Sequence, residues 1–549
     1  MKSLYRPRWP LLLTLVVGVG IVIGLTYIRS GPAGEVLPSH GGRYVEGVAG
    51  TPNSVNPLFT INAVENDLAS LVFSGLIRLG PKGDVQPDLA EKWSVSPDGL
   101  EYTFQLRQNV FWHDAQPLNS EDVLFTIQAI QDPAFQGDPD LAAVFKDVKL
   151  DAPDSSTVVM TLPRLFAPFP AFAAVGILPE HLLGDLDAAG LIDSPFNTQP
   201  IGSGPFRLTE LTSTGAVLQS FDAYHLDRPL LETLELRFYR DDATLLNALR
   251  GGAIDGALFQ SSLTPDDIAL LDDEARWVRR SLHATTFSLV YLNLRMPVFE
   301  DAEVRRALQH SLDRQSLIQE ALDGQALPID SPITLDLWAY VSYPDAYTFD
   351  PARAAVLLNE AGWTLGPNGR EKEGVPLQFT LATVDDPVQT RVAEEIARQW
   401  SQLGIQVTVQ ASGASEFREE LLLKREFEAA LGTIRPPGPD PDPYPFWHSS
   451  QVLGQGLNLA SFSNEEADQL LESARQTPPR DERAEDYRSF QEIFAQELPA
   501  VLLYTPTYQY VYLADLQGVS PGLLFTPSTR FYDVHRWFVE TEDSTNDST

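Results

Sequence analysis

Residues 83–123 read GDVQPDLAEKWSVSPDGLEYTFQLRQNVFWHDAQPLNSEDV, and this stretch decides the fold. Within it, residues 96–99 (SPDG) place Pro second and Gly fourth, which is the preference of a type I turn. Tyr102, Phe104 and Leu106 then alternate with polar residues, as in a strand with one buried face. The pattern predicts a β-hairpin.

A helix is predicted to follow the hairpin. Asn119 or Ser120 is placed to cap it, and two acidic residues follow in its first turn, where they favour the helix dipole. Val123, Ile127 and Ile130 recur at helical spacing. Hairpin and helix together predict a mixed α/β unit.

The same stretch also resembles a family signature. It contains four motifs that resemble those of the extracytoplasmic solute-binding proteins of family 5, the peptide and nickel binders of ABC importers. The motifs are L-A-x-x-W, S-x-D-G, Y-T-F-x-L-R and W-H-D-x-x-P. One departure is Ala115, where the family usually has Gly. We expect a slightly different turn there.

Further motifs of the family follow in the same order along the chain. They are IGSGPF at 201–206, VRRAL at 304–308, DP at 350–351, DPD at 440–442 and FSN at 462–464. The resemblance implies an α/β, two-lobed fold like that of periplasmic binding proteins (type II, cluster C) with an inserted extra domain. Ligand would bind between the lobes.

The resemblance and the composition together predict the organisation of the chain. The predicted parts are a cytoplasmic basic flank at 1–9, a transmembrane anchor or signal at 10–28, a linker at 29–42, lobe 1 from 43–75 with 200–283 and 501–540, the inserted domain at 76–199, lobe 2 at 284–500, and a disordered acidic tail at 541–549.

Composition narrows the classes of partner and chemistry. The 549 residues are too many for one core and suggest two or three domains. A net charge of −36 repels phosphate backbones, so nucleic-acid binding is not expected. The chain has no Cys, which removes thiolate metal sites, Cys nucleophiles and the lipid-bearing Cys by which many family members are anchored.

The N-terminus offers another anchor. Residues 10–28 contain no charged residue, are long enough to cross a bilayer and follow a basic flank that should stay cytoplasmic. A cleaved signal peptide is the alternative, since residues 31–34 include small residues. We favour the uncleaved anchor because the apolar run exceeds the usual core of a signal peptide. The main body is then extracytoplasmic and held at the cell membrane.

No pattern selects a catalytic centre or a metal site. The 8 His residues are scattered, without H-E-x-x-H or a pair at helical ligand spacing. His113 is expected to make structural hydrogen bonds at the end of a strand. Gly202-Ser203-Gly204 matches neither a nucleophile elbow nor a phosphate loop, and its glycines are expected to let the chain turn. We predict no cofactor and no enzymatic activity.

The proline-rich segment 435–446 (RPPGPDPDPYPF) is predicted to be an ordered loop. In peptide-binding relatives the corresponding loop faces the cleft, and an Asp three residues before a D-P step takes the ligand's amino group. Here that position is Pro437, and residues 377–390 contain no Arg for a ligand carboxylate. Both terminal clamps of the dipeptide binders are therefore missing from the pattern.

Three charged residues of this loop are candidates for other roles. Asp442 is expected to lie in a surface loop that proline holds stiff. Asp440 is a candidate ligand contact. Arg435 is a candidate cation of the cleft, with an ion pair to Asp440 as the alternative.

The remaining candidates are aromatic residues and one N-terminal loop. Trp338, Tyr444 and Trp447 are predicted to contribute to an apolar pocket wall, with core packing as the alternative for each. The resemblance also implies backbone and hydroxyl contacts from one further loop, which consists of Thr60, Ile61 and Asn62.

The predicted function is capture of a peptide or peptide-like small solute by closure of two lobes, followed by delivery to ABC permease subunits in the membrane. We expect a monomer. Two alternatives belong to other classes: a hydrolase with an unrecognised carboxylate site, and a membrane-anchored receptor with the same fold but no transporter.

Overall fold

The computed structural model describes residues 38–260, 263–271, 276–436, 438 and 440–539. The predicted basic flank at 1–9, the anchor at 10–28, residues 29–37 of the linker and the acidic tail at 541–549 lie outside these residues. Among the described residues, no helix combines the length and the apolar character that a bilayer span requires.

The strands of the described residues are, in chain order, β1 (Arg43–Ala49), β2 (Ile77–Leu79), β3 (Val85–Pro87), β4 (Ala90–Val95), β5 (Glu101–Leu106), β6 (Lys149–Asp154), β7 (Thr157–Thr161), β8 (Phe206–Leu211), β9 (Gly215–Ser220), β10 (Thr233–Tyr239), β11 (Gly256–Phe259), β12 (Trp277–His283), β13 (Phe287–Leu292), β14 (Ala326–Pro328), β15 (Thr364–Gly366), β16 (Gly369–Lys372), β17 (Val375–Pro376), β18 (Gln378–Val384), β19 (Gln406–Ser412), β20 (Ala429–Ile434), β21 (Ala500–Leu513), β22 (Leu516–Gln517) and β23 (Phe538–Val539).

The α-helices are α1 (Ala63–Val72), α2 (Ser120–Gln131), α3 (Pro139–Phe145), α4 (Phe169–Phe172), α5 (Glu180–Leu183), α6 (Ala188–Ile192), α7 (Asp242–Arg250), α8 (Pro265–Leu270), α9 (Pro297–Glu300), α10 (Ala302–His310), α11 (Arg314–Leu322), α12 (Pro344–Tyr347), α13 (Pro351–Glu360), α14 (Pro387–Ser401), α15 (Tyr444–Trp447), α16 (Glu465–Gln476) and α17 (Arg480–Glu497). A π-helix spans Glu416–Leu422, and 3-10 turns span Pro195–Asn197, Ser449–Val452, Pro527–Phe531 and Val534–Arg536.

One long strand connects the two halves of the largest sheet. The strand order is β19-β18-β20-β13-β21-β11-β1-β10-β9-β8, with β12 and β14 also paired to β21. The first residues of β21 pair with β13, where Val501 lies opposite Val290, and its last residues pair with β12, where Leu513 lies opposite Trp277. The chain therefore crosses between the halves in β21 and again between β12 and β13.

The hydrophobic cores follow the same division. Two clusters are drawn almost entirely from residues 287–504 and cover the β13, β18 and β20 half. A third cluster joins residues 44–236 to residues near the C-terminus, including Tyr510 and Trp537. This distribution fits a two-lobed α/β protein of the expected class. The exact lobe boundaries stay a prediction.

The predicted hairpin is confirmed. β4 and β5 pair antiparallel with Val95 opposite Tyr102, and the Gly99 N–H donates to the Ser96 carbonyl at 2.9 Å to close the turn. Tyr102 and Phe104 are buried, as the alternation predicted. With β6 and β7 these strands form a four-stranded sheet of the inserted segment.

The N-terminal ends predicted for two helices are confirmed as well. Asn119 caps α2, accepting from the Glu121 N–H at 2.7 Å, while the Asp122 carboxylate accepts from the Asn119 N–H at 2.9 Å. Asp350 caps α13 by accepting from the Arg353 N–H at 2.8 Å. Such reciprocal or single caps satisfy N–H groups that the first turn of a helix leaves free.

The structure defines the roles of two small residues in the predicted turns. Ala115 has φ +68°, the left-handed backbone that Gly favours, and adopts it with a Cβ present. The expected difference from the family's turn stays a prediction. Gly202 is needed for close packing, because an added Cβ would lie 1.8 Å from the Val72 carbonyl oxygen. The Gly204 N–H donates to the same oxygen at 2.8 Å, so this segment is held against the end of α1.

His113 fastens the inserted segment to lobe 1. Its Nε2 lies 3.0 Å from the Gly204 carbonyl, which acts as acceptor, and its Nδ1 accepts from the Gly202 N–H at 3.2 Å. Both ring nitrogens are thus committed in the neutral form, as expected for a structural histidine. Burial lowers the pKa of the imidazole to about 4.

We expect the stability of the protein to fall as the pH decreases from about 6.5, the usual pKa of an unfolded histidine, to about 4. In this window the unfolded chain binds a proton at His113 that the folded chain rejects, so stability is full above the window and is lost below it. The loss is about 3 kcal/mol by pH 4 from this residue. Urea unfolding of wild type and His113→Gln across the window tests it. An equal pH slope in the two proteins would contradict the assignment.

A buried ion cluster positions α1. The guanidinium of Arg530 donates to Glu46 Oε1 at 2.9 Å and to the two oxygens of Asp67 at 2.9 and 2.7 Å. The side chains of Arg530, Glu46 and Asp67 are 1%, 0% and 3% exposed. Because Asp67 lies on α1 and Glu46 on β1, this cluster fixes the helix that follows the candidate loop 60–62.

Candidate ligand-binding site

The inserted segment and lobe 2 touch each other away from the crossing strands. The Ala167 N–H donates to the Arg475 carbonyl at 2.7 Å, and the Arg475 guanidinium lies 5.6 Å from the centre of the Phe166 ring. The two parts are therefore in contact at this edge.

The proline-rich loop lies beside this contact. A Cβ added to Gly438 would lie 3.9 Å from Cζ of Phe172, a residue of the inserted segment. The loop begins at the end of β20, whose last residue Ile434 pairs with Phe287 next to the crossing between the lobes. Its position agrees with a loop that faces the space between the lobes.

Asp440 forms an ion pair inside lobe 2. Arg483 of α17 donates to Asp440 Oδ2 at 2.9 Å and also to Oδ1, and the two side chains are 5% and 16% exposed. Burial raises the pKa of the Asp440 carboxyl, while the guanidinium acts in the opposite direction. The forked geometry favours the ionised pair. The alternative pairing of Asp440 with Arg435 is wrong.

Asp442 has a structural role, but it is buried in an ion pair and does not lie at the surface as expected. Arg475 of α16 donates to its two carboxylate oxygens at distances of 2.6 to 3.0 Å, and the Asp442 side chain is 5% exposed. The same guanidinium lies 3.9 Å from the centre of the Tyr444 ring. Both carboxylates of the loop are therefore neutralised by arginines of the helices behind it.

Trp338 lies against the same arginines. The guanidinium carbons of Arg480 and Arg483 are 4.8 and 5.1 Å from its ring centre, and Tyr487 packs against it at 5.8 Å. The indole is half-buried, so it is neither a core residue nor a free surface residue. Cation–π contacts of this kind fix the ring in place.

Arg435 is the exposed cation of the loop. In the part of the chain that the structure describes, no carboxylate lies within 4.0 Å of its guanidinium. Pro437, two residues later, lies outside the described residues. Burial raises the pKa of the Tyr508 phenol on β21, and the charge of Arg435 acts on the phenol in the opposite direction.

The two other aromatic candidates differ in exposure. Trp447 is fully buried, and its ring meets Phe494 edge to face at 4.7 Å. In this conformation it is part of the lobe 2 core. Tyr444 is half-buried and stacks on His448 with ring centres 4.1 Å apart.

The N-terminal loop precedes α1. Asn62 caps the helix by accepting from the Glu65 N–H at 3.0 Å, and the Thr60 hydroxyl donates to Asn66 at 2.8 Å. Ile61 is 83% exposed. The loop thus has an ordered backbone and presents one free apolar side chain.

Arg475 and Arg483 are the ion-pair partners of the candidate loop that the sequence did not predict. They lie 33 and 43 residues beyond their aspartate partners, on two successive helices. A charged side chain on a helix is ordinarily exposed to solvent. The spacing of the two arginines in the sequence therefore does not reveal their ion pairs. Among the described residues, no three His, Asp or Glu side chains are placed to hold a metal ion.

Comparison with known proteins identifies the class. Residues 84–453 match the model of the bacterial extracellular solute-binding proteins, family 5. The chain belongs to this family of solute-binding proteins.

Individual relatives cover nearly the whole chain. It is 27% identical over 528 residues to the oligopeptide-binding protein AppA of Bacillus subtilis, with 91% of this chain and 92% of AppA covered. It is 31% identical over 484 residues to Protein XP55 of Streptomyces lividans, covering 86% and 84% of the two chains. The solved structure of Bacillus subtilis AppA in complex with a nonapeptide has a TM-score of 0.69 at 26% identity and covers 92% of this chain and all of AppA.

Proposed function

We propose that this protein is the extracytoplasmic substrate-binding subunit of an ABC importer and captures a peptide or peptide-like solute between its lobes. The observation that carries the proposal is the likeness to the nonapeptide complex of AppA over 92% of the chain. The comparisons do not favour the hydrolase or the receptor without a transporter. We further propose a monomer that is held at the cell membrane by residues 10–28 and acts on permease subunits.

The mechanism needs no covalent chemistry. A ligand that contacts both lobes binds the closed form more tightly than the open form, so its binding shifts the population toward closure. The strand β21 belongs to both lobes, and closure therefore changes the angle between two halves of one sheet. An extended peptide backbone offers amide groups that neutral donors and acceptors can satisfy.

Free dipeptides are expected to bind at least about 100-fold more weakly than blocked or longer peptides, a difference of about 2.7 kcal/mol. A dipeptide carries two charged ends close together, and each must find a partner in the closed cleft. The amino end finds no partner in the loop, because Pro437 offers no carboxylate and Asp440 is already paired with Arg483. The Arg that dipeptide binders carry for the carboxylate is missing from residues 377–390.

Calorimetry on the purified full-length protein checks this expectation. The panel is Ala-Ala, acetyl-Ala-Ala-amide and alanine-based peptides of three to nine residues, with and without blocked ends. Micromolar binding of dipeptides, about −8 kcal/mol, would contradict the register assigned to the proline-rich loop. Absence of binding by every peptide would contradict the peptide ligand itself.

A further inference from the structure

Arg435 and Tyr508 lie on opposite sides of the crossing between the lobes. Arg435 comes directly after Ile434, which pairs with Phe287 at the lobe 2 end of the crossing. Tyr508 pairs with Leu282 at the lobe 1 end. The strand register therefore places the two residues at either end of the crossing, and the Arg435 guanidinium acts electrostatically on the Tyr508 phenol.

Both side chains carry hydrogen-bond donors that are available to a ligand. The Arg435 guanidinium is exposed and has no carboxylate within 4.0 Å in the described part of the chain. The Tyr508 ring packs against the lobe 1 core, and none of the described residues hydrogen-bonds to its hydroxyl. A guanidinium and a phenol hydroxyl are together a suitable donor set for a carboxylate.

The acids around the loop do not compete for Arg435. Asp440 and Asp442, the carboxylates nearest in sequence, are both held by arginines of α17 and α16. Arg480 is a less suitable anion site, because Asp440 and, to a smaller extent, Asp84 act on it electrostatically and its guanidinium lies over the Trp338 ring. In a chain of net charge −36, Arg435 is thus a cation at the cleft with no internal partner among the described residues.

We infer that the ligand carries a carboxylate that binds between Arg435 of lobe 2 and the Tyr508 hydroxyl of lobe 1. This rests on the proposed function and adds the charge of the ligand to it. The carboxylate is either the free C-terminus of a peptide or an acidic side chain, since the donor set recognises the same group in both. By joining residues of the two lobes, the carboxylate also favours closure.

Four pentapeptides distinguish the two sources of the carboxylate. All have an acetylated N-terminus; they are penta-alanine with a free C-terminus, penta-alanine amide, and the alanine-based amides with a central Glu or a central Gln. Calorimetry is expected to give at least about tenfold tighter binding for a carboxylate peptide than for its matched neutral peptide, and the preference is expected to shrink as NaCl is raised. Equal affinities within each pair would overturn the inference and leave the proposed function standing.

Variants then locate the carboxylate. Arg435→Gln is expected to bring the affinity ratio of carboxylate to neutral peptide close to one, Arg435→Lys to restore part of it, and Tyr508→Phe to lower it about threefold. The control Arg418→Gln removes an arginine of the same lobe whose side chain is 74% exposed, and it should keep the ratio. A ratio that survives Arg435→Gln would overturn the site.

If no peptide binds, the proposed function is contradicted. The carboxylate site is then tested by a measurement that needs no peptide. Glutarate is then titrated against wild type and Arg435→Gln while thermal unfolding is followed. A rise in Tm in wild type that is lost in Arg435→Gln supports the carboxylate site without a peptide. Identical profiles would overturn it.

Discussion

Replacing Arg530 by Met is expected to lower the free energy of unfolding by about 3–5 kcal/mol. The substitution keeps an apolar side chain of similar length but leaves Glu46 and Asp67 buried without their cation, and both are at most 3% exposed. Uncompensated buried charge is among the most costly changes a core can receive. Urea unfolding followed by circular dichroism measures the effect.

A matched control separates burial from ion pairing as such. Arg398→Met removes a bidentate pair with Glu395 on the surface of α14, where the arginine side chain is 54% exposed. Its expected cost is below about 0.5 kcal/mol, because solvent screens exposed pairs. Equal costs for Arg530→Met and Arg398→Met would show that the buried cluster does not stabilise the fold.

Asp440→Ala is the second large effect, with an expected loss of about 3 kcal/mol in the free energy of unfolding. It leaves the Arg483 guanidinium, 5% exposed, without its carboxylate. Ligand binding should weaken only moderately, about tenfold or less, because the expected role of Asp440 is to hold the loop and Trp338 in place. Unfolding and calorimetry with a blocked pentapeptide are the two measurements.

The comparison variant is Glu420→Ala, which breaks an exposed pair with Lys424 in the same lobe. It should change stability by less than about 0.5 kcal/mol and leave binding intact. If Asp440→Ala abolished binding while stability stayed the same, Asp440 would be the amine anchor for the ligand and the assigned loop register would be wrong.

Local patterns predicted the local structure well. The turn at 96–99 and the caps Asn119 and Asp350 each depend on residues only a few positions apart, so turn chemistry and capping preferences suffice. The order of the family motifs added the two-lobed fold, which no single pattern determines.

Long-range pairing could not be predicted in the same way. Arg530 meets Glu46 from 484 positions away, and Arg483 meets Asp440 from 43 positions away. The local sequence around a charged residue on a helix is the same whether its side chain faces solvent or a buried carboxylate. For the same reason the choice between Arg435 and Arg483 as the partner of Asp440 required the structure.

The contact between Ala167 and Arg475 is made by main-chain atoms alone, an N–H and a carbonyl 2.7 Å apart. Every amino acid except proline supplies the donor, and every amino acid supplies the acceptor. This hydrogen bond can therefore persist when the side chain at either position changes, except for a change to proline at position 167. The join between the inserted segment and lobe 2 is in this respect independent of the side chains that recognise the ligand.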